Sequence, residues 1–232
     1  MSSPNVLMVT CGIRWFPLCE YWIDRIDFLD KLKVKYFLHY DALAIARNFF
    51  LEHDYTHLLI YAEDVITTPD VVKLLIKDAE EYDFPIVSGW INFDFKRNWL
   101  SFTFKDLSNI YVKTHEQYEF PTTDYVLKHD LKNPFIETFF QGFGLTLIRR
   151  DVVEKIPFKP YKIQEITIAN RRFVTGIMFD LQYAIELKKM GIKNIIDLRC
   201  FAIHFGYTTP LAKSELIGKG IVEFIPKKSD NS

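Results

Sequence analysis

The run "THLLIYAEDVITTPD", Thr56 to Asp70, decides how the chain is read. His57 to Tyr61 has the apolar continuity of a buried strand, and Thr68 followed by Pro69 has the form of a helix start. Between them stand Glu63 and Asp64. Carboxylates are costly inside an apolar sheet. Either the strand leaves the core there and both acids are simply solvated, or they face something positive.

Working outward, "NVLMVTCG" (Asn5 to Gly12) reads as a buried first strand closed by a loop. In "YDALAIARNFFLEHD", Ala42, Ile45, Ala46, Phe49 and Phe50 fall on one face of an amphipathic helix, with Asp41 placed as its N-cap. "TTPDVVKLLIKDAEEY" predicts a second helix capped by Thr68, and "FPIVSGW" (Phe84 to Trp90) a third buried strand ended by Gly89. Strand, helix, strand, helix, strand predicts an α/β sheet with parallel neighbours. Ligands of such sheets bind at the carboxyl ends of strands, where Cys11–Gly12, Glu63–Asp64 and Gly89–Trp90 all fall.

The aromatic-rich stretch from about Ile91 to Phe135 predicts an antiparallel hairpin or long loops over the sheet. "FFQGFGLTLIRRDVVEKI" follows as a glycine-broken segment, a short strand and a helix start. "DLQYAIELKKMG" predicts a further helix, with Asp180 as candidate cap and Gly191 as its stop, and "NIIDLRCFAIHFG" a last extended stretch. With no repeat, low-complexity region or linker, one domain over 1–206 is expected. The tail, 207–232, is expected to be mobile.

The 232-residue chain is long enough for a substantial core, with 49% hydrophobic, 25% charged and 16% aromatic residues. A net charge of −1 argues against a general nucleic-acid binder. The small basic clusters "LIRRD" (Leu147 to Asp151) and "NRRF" (Asn170 to Phe173) read more simply as solvated faces. Cys11, Cys19 and Cys200 are odd in number and form no CxxC, which fits a reduced, cytoplasmic setting. The N-terminus lacks the build of a secretory signal, and no apolar run reaches transmembrane length, leaving peripheral membrane contact open.

"HDYTH" spaces His53 and His57 four apart, but no Glu follows the first His and the segment crosses from helix into strand, so a zinc pair is not expected there. No GxxxxGK[ST], GxGxxG or GxSxG element is present.

Four features do fall in order: "ARN" (Ala46 to Asn48), "AED" (Ala62 to Asp64), "GFG" (Gly142 to Gly144) and "FDLQYAIELKKMG…CFAIHFG" (Phe179 to Gly206). In that order the chain resembles the GT-A glycosyltransferases, most closely the family 2-like members. The resemblance covers roughly Asn5 to Gly206. It implies a GT-A type (Rossmann-like), mostly parallel central sheet flanked by helices, with a smaller antiparallel element.

It further implies sugar transfer from a UDP- or GDP-sugar to a hydroxyl acceptor on a glycan, lipid or protein, with Mn²⁺ or Mg²⁺ as cofactor. Asp64 matches the last acid of the family's DxD-type metal motif, in which Ala62 replaces the first acid and Glu63 holds the middle position. His204 matches a late metal-ligating His. Asp180 matches the catalytic base of an inverting reaction, with Phe179 where the family has Glu; Asp as a plain helix cap is the competing account. Thr10, Cys11, Gly12, Arg47 and Asn48 match nucleotide-side positions, and Arg offers a donor fork suited to phosphate. Trp90, Gly142, Phe143 and Gly144 are expected around the sugar or acceptor. A nucleotidyltransferase and a catalytically silent binding module are the rival readings.

Overall fold

The computed structural model describes residues 4–12, 16–109, 115–168, 171–205 and 220–228, with the backbone alone at 115 and 162–177. The basic cluster expected at Asn170 to Phe173 and most of the expected tail lie outside the described residues or side chains.

In chain order, β1 (Val6–Gly12), α1 (Pro17–Asp24), β2 (Asp30–Lys35), α2 (His39–Glu52) and β3 (His57–Tyr61) are followed by the short β4 (Val65–Ile66) and α3 (Pro69–Glu81). Next come β5 (Ile86–Asp94), β6 (Trp99–Leu100), β7 (Phe102–Thr103), a 3-10 turn at His115–Tyr118 and α4 (Thr123–Lys128). The chain continues through β8 (Phe135–Thr138), β9 (Phe140–Gln141), β10 (Leu145–Arg149), α5 (Arg150–Lys155), β11 (Lys162–Ile168) and β12 (Arg171–Ile177). It closes with α6 (Phe179–Lys189), β13 (Asn194–His204) and β14 (Ile221–Ile225).

Among the described residues, ten strands form one sheet in the order β14-β2-β1-β3-β10-β5-β13-β4, with β6 beside β5 and β8 beside β13. The expected mostly parallel, Rossmann-like GT-A sheet is corrected here. Only β1–β2, β1–β3 and β5–β13 pair in parallel, whereas six pairings are antiparallel, and the sheet is mixed and curled toward a half-barrel. The physical reason is β10. It enters between β3 and β5 in the opposite direction, hydrogen-bonding to both, so the two strands expected as neighbours do not pair. Local periodicity reports that a segment is a strand, not which strand it will pair with.

The strands at the sheet's centre are buried on both faces, and their alternate residues feed two cores. Leu7, Val9, Leu58 and Ile60 face Ala46 and Phe50 of α2, Val152 of α5 and Tyr183 of α6. Met8, Leu59 and Tyr61 face Ile23 of α1 and Val72, Leu75 and Ala79 of α3.

Several local expectations change with tertiary context. Thr68 does cap α3, its hydroxyl accepting from the Val71 N–H, and Gly191 follows α6 at φ +68°. The N-caps of α2 and α6 are instead Leu38 and Met178, so Asp41 and Asp180 stand inside the first turns, where a carboxylate still faces the helix dipole. Gly89 does not end β5. It sits within that strand because the Cys200 carbonyl of β13 passes where a side chain would go. Within the expected tail, Ile221–Ile225 pairs with β2 along the sheet edge.

Candidate functional site

The site is assembled at the carboxyl end of β3. There the chain turns through Ala62, Glu63 and Asp64, and β4 pairs antiparallel with the end of β13, setting Val65 opposite His204. That register brings Asp64 Oδ2 to 3.2 Å from His204 Nε2. The backbone fixes the turn as well: Phe205 N–H donates to the Asp64 carbonyl at 2.6 Å, and Ala62 N–H to the Gly144 carbonyl at 2.9 Å. The second contact ties the "GFG" turn ahead of β10 to the "AED" turn after β3.

Asp64 and His204 open onto a cavity of about 400 Å³. Asp180 opens onto the same cavity from the first turn of α6, and so do Gly142, Phe143 and Gly144. Asp180 is delivered by Met178, whose left-handed backbone (φ 57°, ψ 36°) turns the chain from β12 into the helix. Such a conformation is costly for a residue with a side chain and clusters at functional positions. The Asp180 carboxylate accepts from Leu181 N–H at 2.9 Å, yet burial raises its pKa from 3.8 to about 6.

Glu63 lies beside this group, over β1. A Cβ on Gly12 would overlap the Glu63 carboxylate, so only glycine leaves room for it. Glu63 Oε1 is 3.8 Å from His39 Nε2, and the His39 ring stacks on Phe179 at 6.2 Å between centroids.

The other expected residues lie apart. Thr10 and Cys11 are buried in β1, and burial, then the Glu63 charge, pushes the Cys11 thiol up. Arg47 does not line the cavity. Its guanidinium donates to the Val153 and Glu154 carbonyls at 2.9 and 3.0 Å, clamping α2 to the end of α5. Asn48 is exposed and lies outside the cavity wall. Trp90 packs 4.5 Å from Phe201, and its indole N–H donates to the Leu198 carbonyl at 2.8 Å, away from the cavity.

Sequence reasoning missed His39, which opens α2 without a motif, and the rings of Phe93, Tyr118 and Phe120, which with Phe140 of the "FFQGFG" segment form an aromatic wall. Tyr118 stacks on Phe120 at 4.9 Å, and Phe93 meets Phe120 edge-on at 4.8 Å. Phe93, Tyr118 and Phe120 fall in the aromatic-rich stretch from about Ile91 to Phe135, where only the abundance of rings was a signal.

Among the described residues, no three His, Cys, Asp or Glu side chains converge as a closed metal cage. The available donor set is the Asp64 carboxylate and the His204 imidazole. Small hard cations are commonly held by one or two carboxylates, with substrate phosphates and water completing the shell. The pair therefore fits a cation that arrives with a phosphate ligand. Among the described residues no helix is long and apolar enough to cross a membrane.

No family model and no curated protein matches the chain. Among solved structures it is similar to the crystal structure of A197 from STIV, with a TM-score of 0.54 and 16% identity over 98% of this chain and 95% of that one. At that identity the likeness is one of fold alone.

Proposed function

We propose that this protein is a metal-dependent glycosyltransferase that moves a sugar from a UDP- or GDP-sugar to a hydroxyl acceptor. The observation that carries the reading is that Asp64, His204 and Asp180, far apart in sequence, line one cavity. Asp64 and His204 would hold Mn²⁺ or Mg²⁺ together with the donor's phosphates. A bound divalent cation supplies positive charge that offsets the charge of the diphosphate.

Asp180 acts as base. Its carboxylate takes the acceptor proton as the acceptor oxygen bonds to the anomeric carbon. The bond from that carbon to the diphosphate oxygen breaks on the opposite side, its electrons leaving with the diphosphate, and the centre inverts. A desolvated carboxylate suits this work, since it is ionised at neutral pH yet more basic than a solvated one. The aromatic wall excludes water and offers flat faces to a sugar ring. The odd number of cysteines, all three buried, accords with a reducing, cytoplasmic setting.

One observation favours a second reading, a catalytically silent nucleotide-binding module. Ala62 and Phe179 line the cavity at positions where the resembled family carries acids, leaving that wall apolar.

Thermal unfolding with UDP, GDP, ADP or CDP, each with and without Mn²⁺, separates these readings. Ligand at about 100 times its Kd stabilises by roughly 2.7 kcal/mol, a Tm rise of roughly 5–11 °C for a chain this size. We expect one nucleotide to give a Mn²⁺-dependent rise that is absent in Asp64→Ala. Such a rise without any turnover of the matching nucleotide sugar would favour the silent module. No rise with any nucleotide would remove both.

A further inference from the structure

We propose that the surface built from the β5–β6 turn, α4 and the turn after it docks the protein onto an anionic lipid bilayer. The six-residue helix α4 buries none of its own residues. Tyr125 and Val126 rest against the cluster around Leu100 and Phe102, whereas Leu127 is 81% exposed and Leu131 49%. Phe95 of the β5–β6 turn and Phe104, whose ring lies 5.3 Å from Tyr125, are exposed as well. An Asn98–Thr123 side-chain hydrogen bond and a Trp99–Thr122 bridge join the turn to the start of α4.

Cations are interleaved with these apolar groups. Lys96, Lys128 and Lys132 are exposed, and none of the three makes an ion pair among the described residues. Two acids share the surface. Asp124 and Asp130 are both exposed, and Asp130 accepts from Lys132 N–H at 3.0 Å.

This mixture selects the occupant. Protein interfaces are depleted of lysine, which weighs against a second copy of the chain as the occupant. A bilayer accommodates both components, because leucine and phenylalanine enter the acyl boundary while ammonium groups reach back to anionic headgroups. The surface also adjoins the cavity. Trp99 lies 6.3 Å from Phe93 and 5.8 Å from Phe120, and both of those rings form cavity wall. A lipid-borne hydroxyl would thus be presented beside the site proposed above, although the docking itself does not depend on sugar transfer.

Vesicle flotation tests the inference. The full chain is mixed with phosphatidylcholine vesicles or with vesicles carrying a third phosphatidylglycerol. The variants are Leu127→Ser with Leu131→Ser, and Lys128→Glu with Lys132→Glu. We expect flotation with the anionic vesicles only, weakened by added salt, and reduced about tenfold or more in either double variant. Unchanged Tm and unchanged nucleotide-induced shifts in the variants would separate docking from the cavity's function. The inference is overturned if wild type stays in solution with both vesicles, if both variants float like wild type, or if neutral vesicles serve equally well. A concentration-dependent dimer abolished by the leucine substitutions would also overturn it, by making a second copy the occupant.

Discussion

Ionising Asp180 opposes folding, because burial raises its pKa from 3.8 to about 6. A raised carboxyl contributes stability that is fully present at low pH and is lost as the pH climbs through about 6. Asp180→Asn should therefore stabilise the protein by about 1–3 kcal/mol at pH 8 and change little near pH 4, read from urea midpoints. The same substitution should lower transfer by about a hundredfold or more and leave nucleotide-induced shifts intact, while wild-type turnover should rise through pH 6. An Asn variant no more stable than wild type at pH 8 would contradict the desolvated-carboxylate account. Gly12→Ala should lower Tm and weaken nucleotide binding together, since the new methyl displaces Glu63 from beside His39. Asp64, Asp180 and His204 could be singled out because their order resembles the GT-A motifs, and the structure does bring them to one cavity. The role of Arg47 was not legible, because a helix position cannot report that its guanidinium reaches α5 instead of a phosphate.

Arg149 and Arg150, expected as part of a solvated face, are employed between elements. Arg149 pairs with Asp83 and Asp151, and Arg150 donates to carbonyls of Leu51, His53 and Tyr55 at the end of α2. A comparable tie docks α3 on β13, where Arg199 lies 2.6 Å from Asp78 and 3.0 Å from Asp197. Burial and the shared contact with Asp197 push Asp78 up to about 7, while Asp197 is held low. The Asp78 contribution is thus lost as pH rises through about 7. Arg199→Met removes the cation between two buried acids and should cost roughly 3 kcal/mol at pH 8. At pH 6, where a proton shared by the two acids partly replaces the cation, the cost should be smaller. Chemical denaturation at both values checks this, and an equal loss at each would exclude the proton-sharing account. These ties escaped the sequence because Asp78 and Arg199 are 121 residues apart.

At the scale of the molecule, the sheet depends on strands that local patterning left unplaced. β14 covers the outer edge of β2, pairing Ile221–Ile225 with Lys35–Lys31. Truncation after residue 219 would expose that edge, and unpaired edges template association. The shortened chain should show a lower urea midpoint and concentration-dependent light scattering, whereas a monomer of unchanged stability would show that β14 contributes no edge protection. β10 has the reverse role. By running antiparallel between β3 and β5 it converts an expected parallel series into a mixed, curled sheet, and it places the Gly142–Gly144 turn over the carboxyl end of β3.

The sequence by itself marked β1, α2, β3, α3, β5 and α6, since burial period and turn chemistry are local properties, but it left α1, β2 and β14 unassigned. It also marked Asp64, Asp180 and His204 as the acids and imidazole to watch. The tertiary structure alone decided strand order and direction, because hydrogen-bonded partners are chosen by the whole sheet. It alone decided that Val65 pairs with His204, which turns two distant motifs into a 3.2 Å contact. It alone decided that His39 and the rings at 93, 118, 120 and 140 wall the same cavity. No local pattern carries such proximity; it exists only once long-range packing has offset the entropy of bringing those segments together.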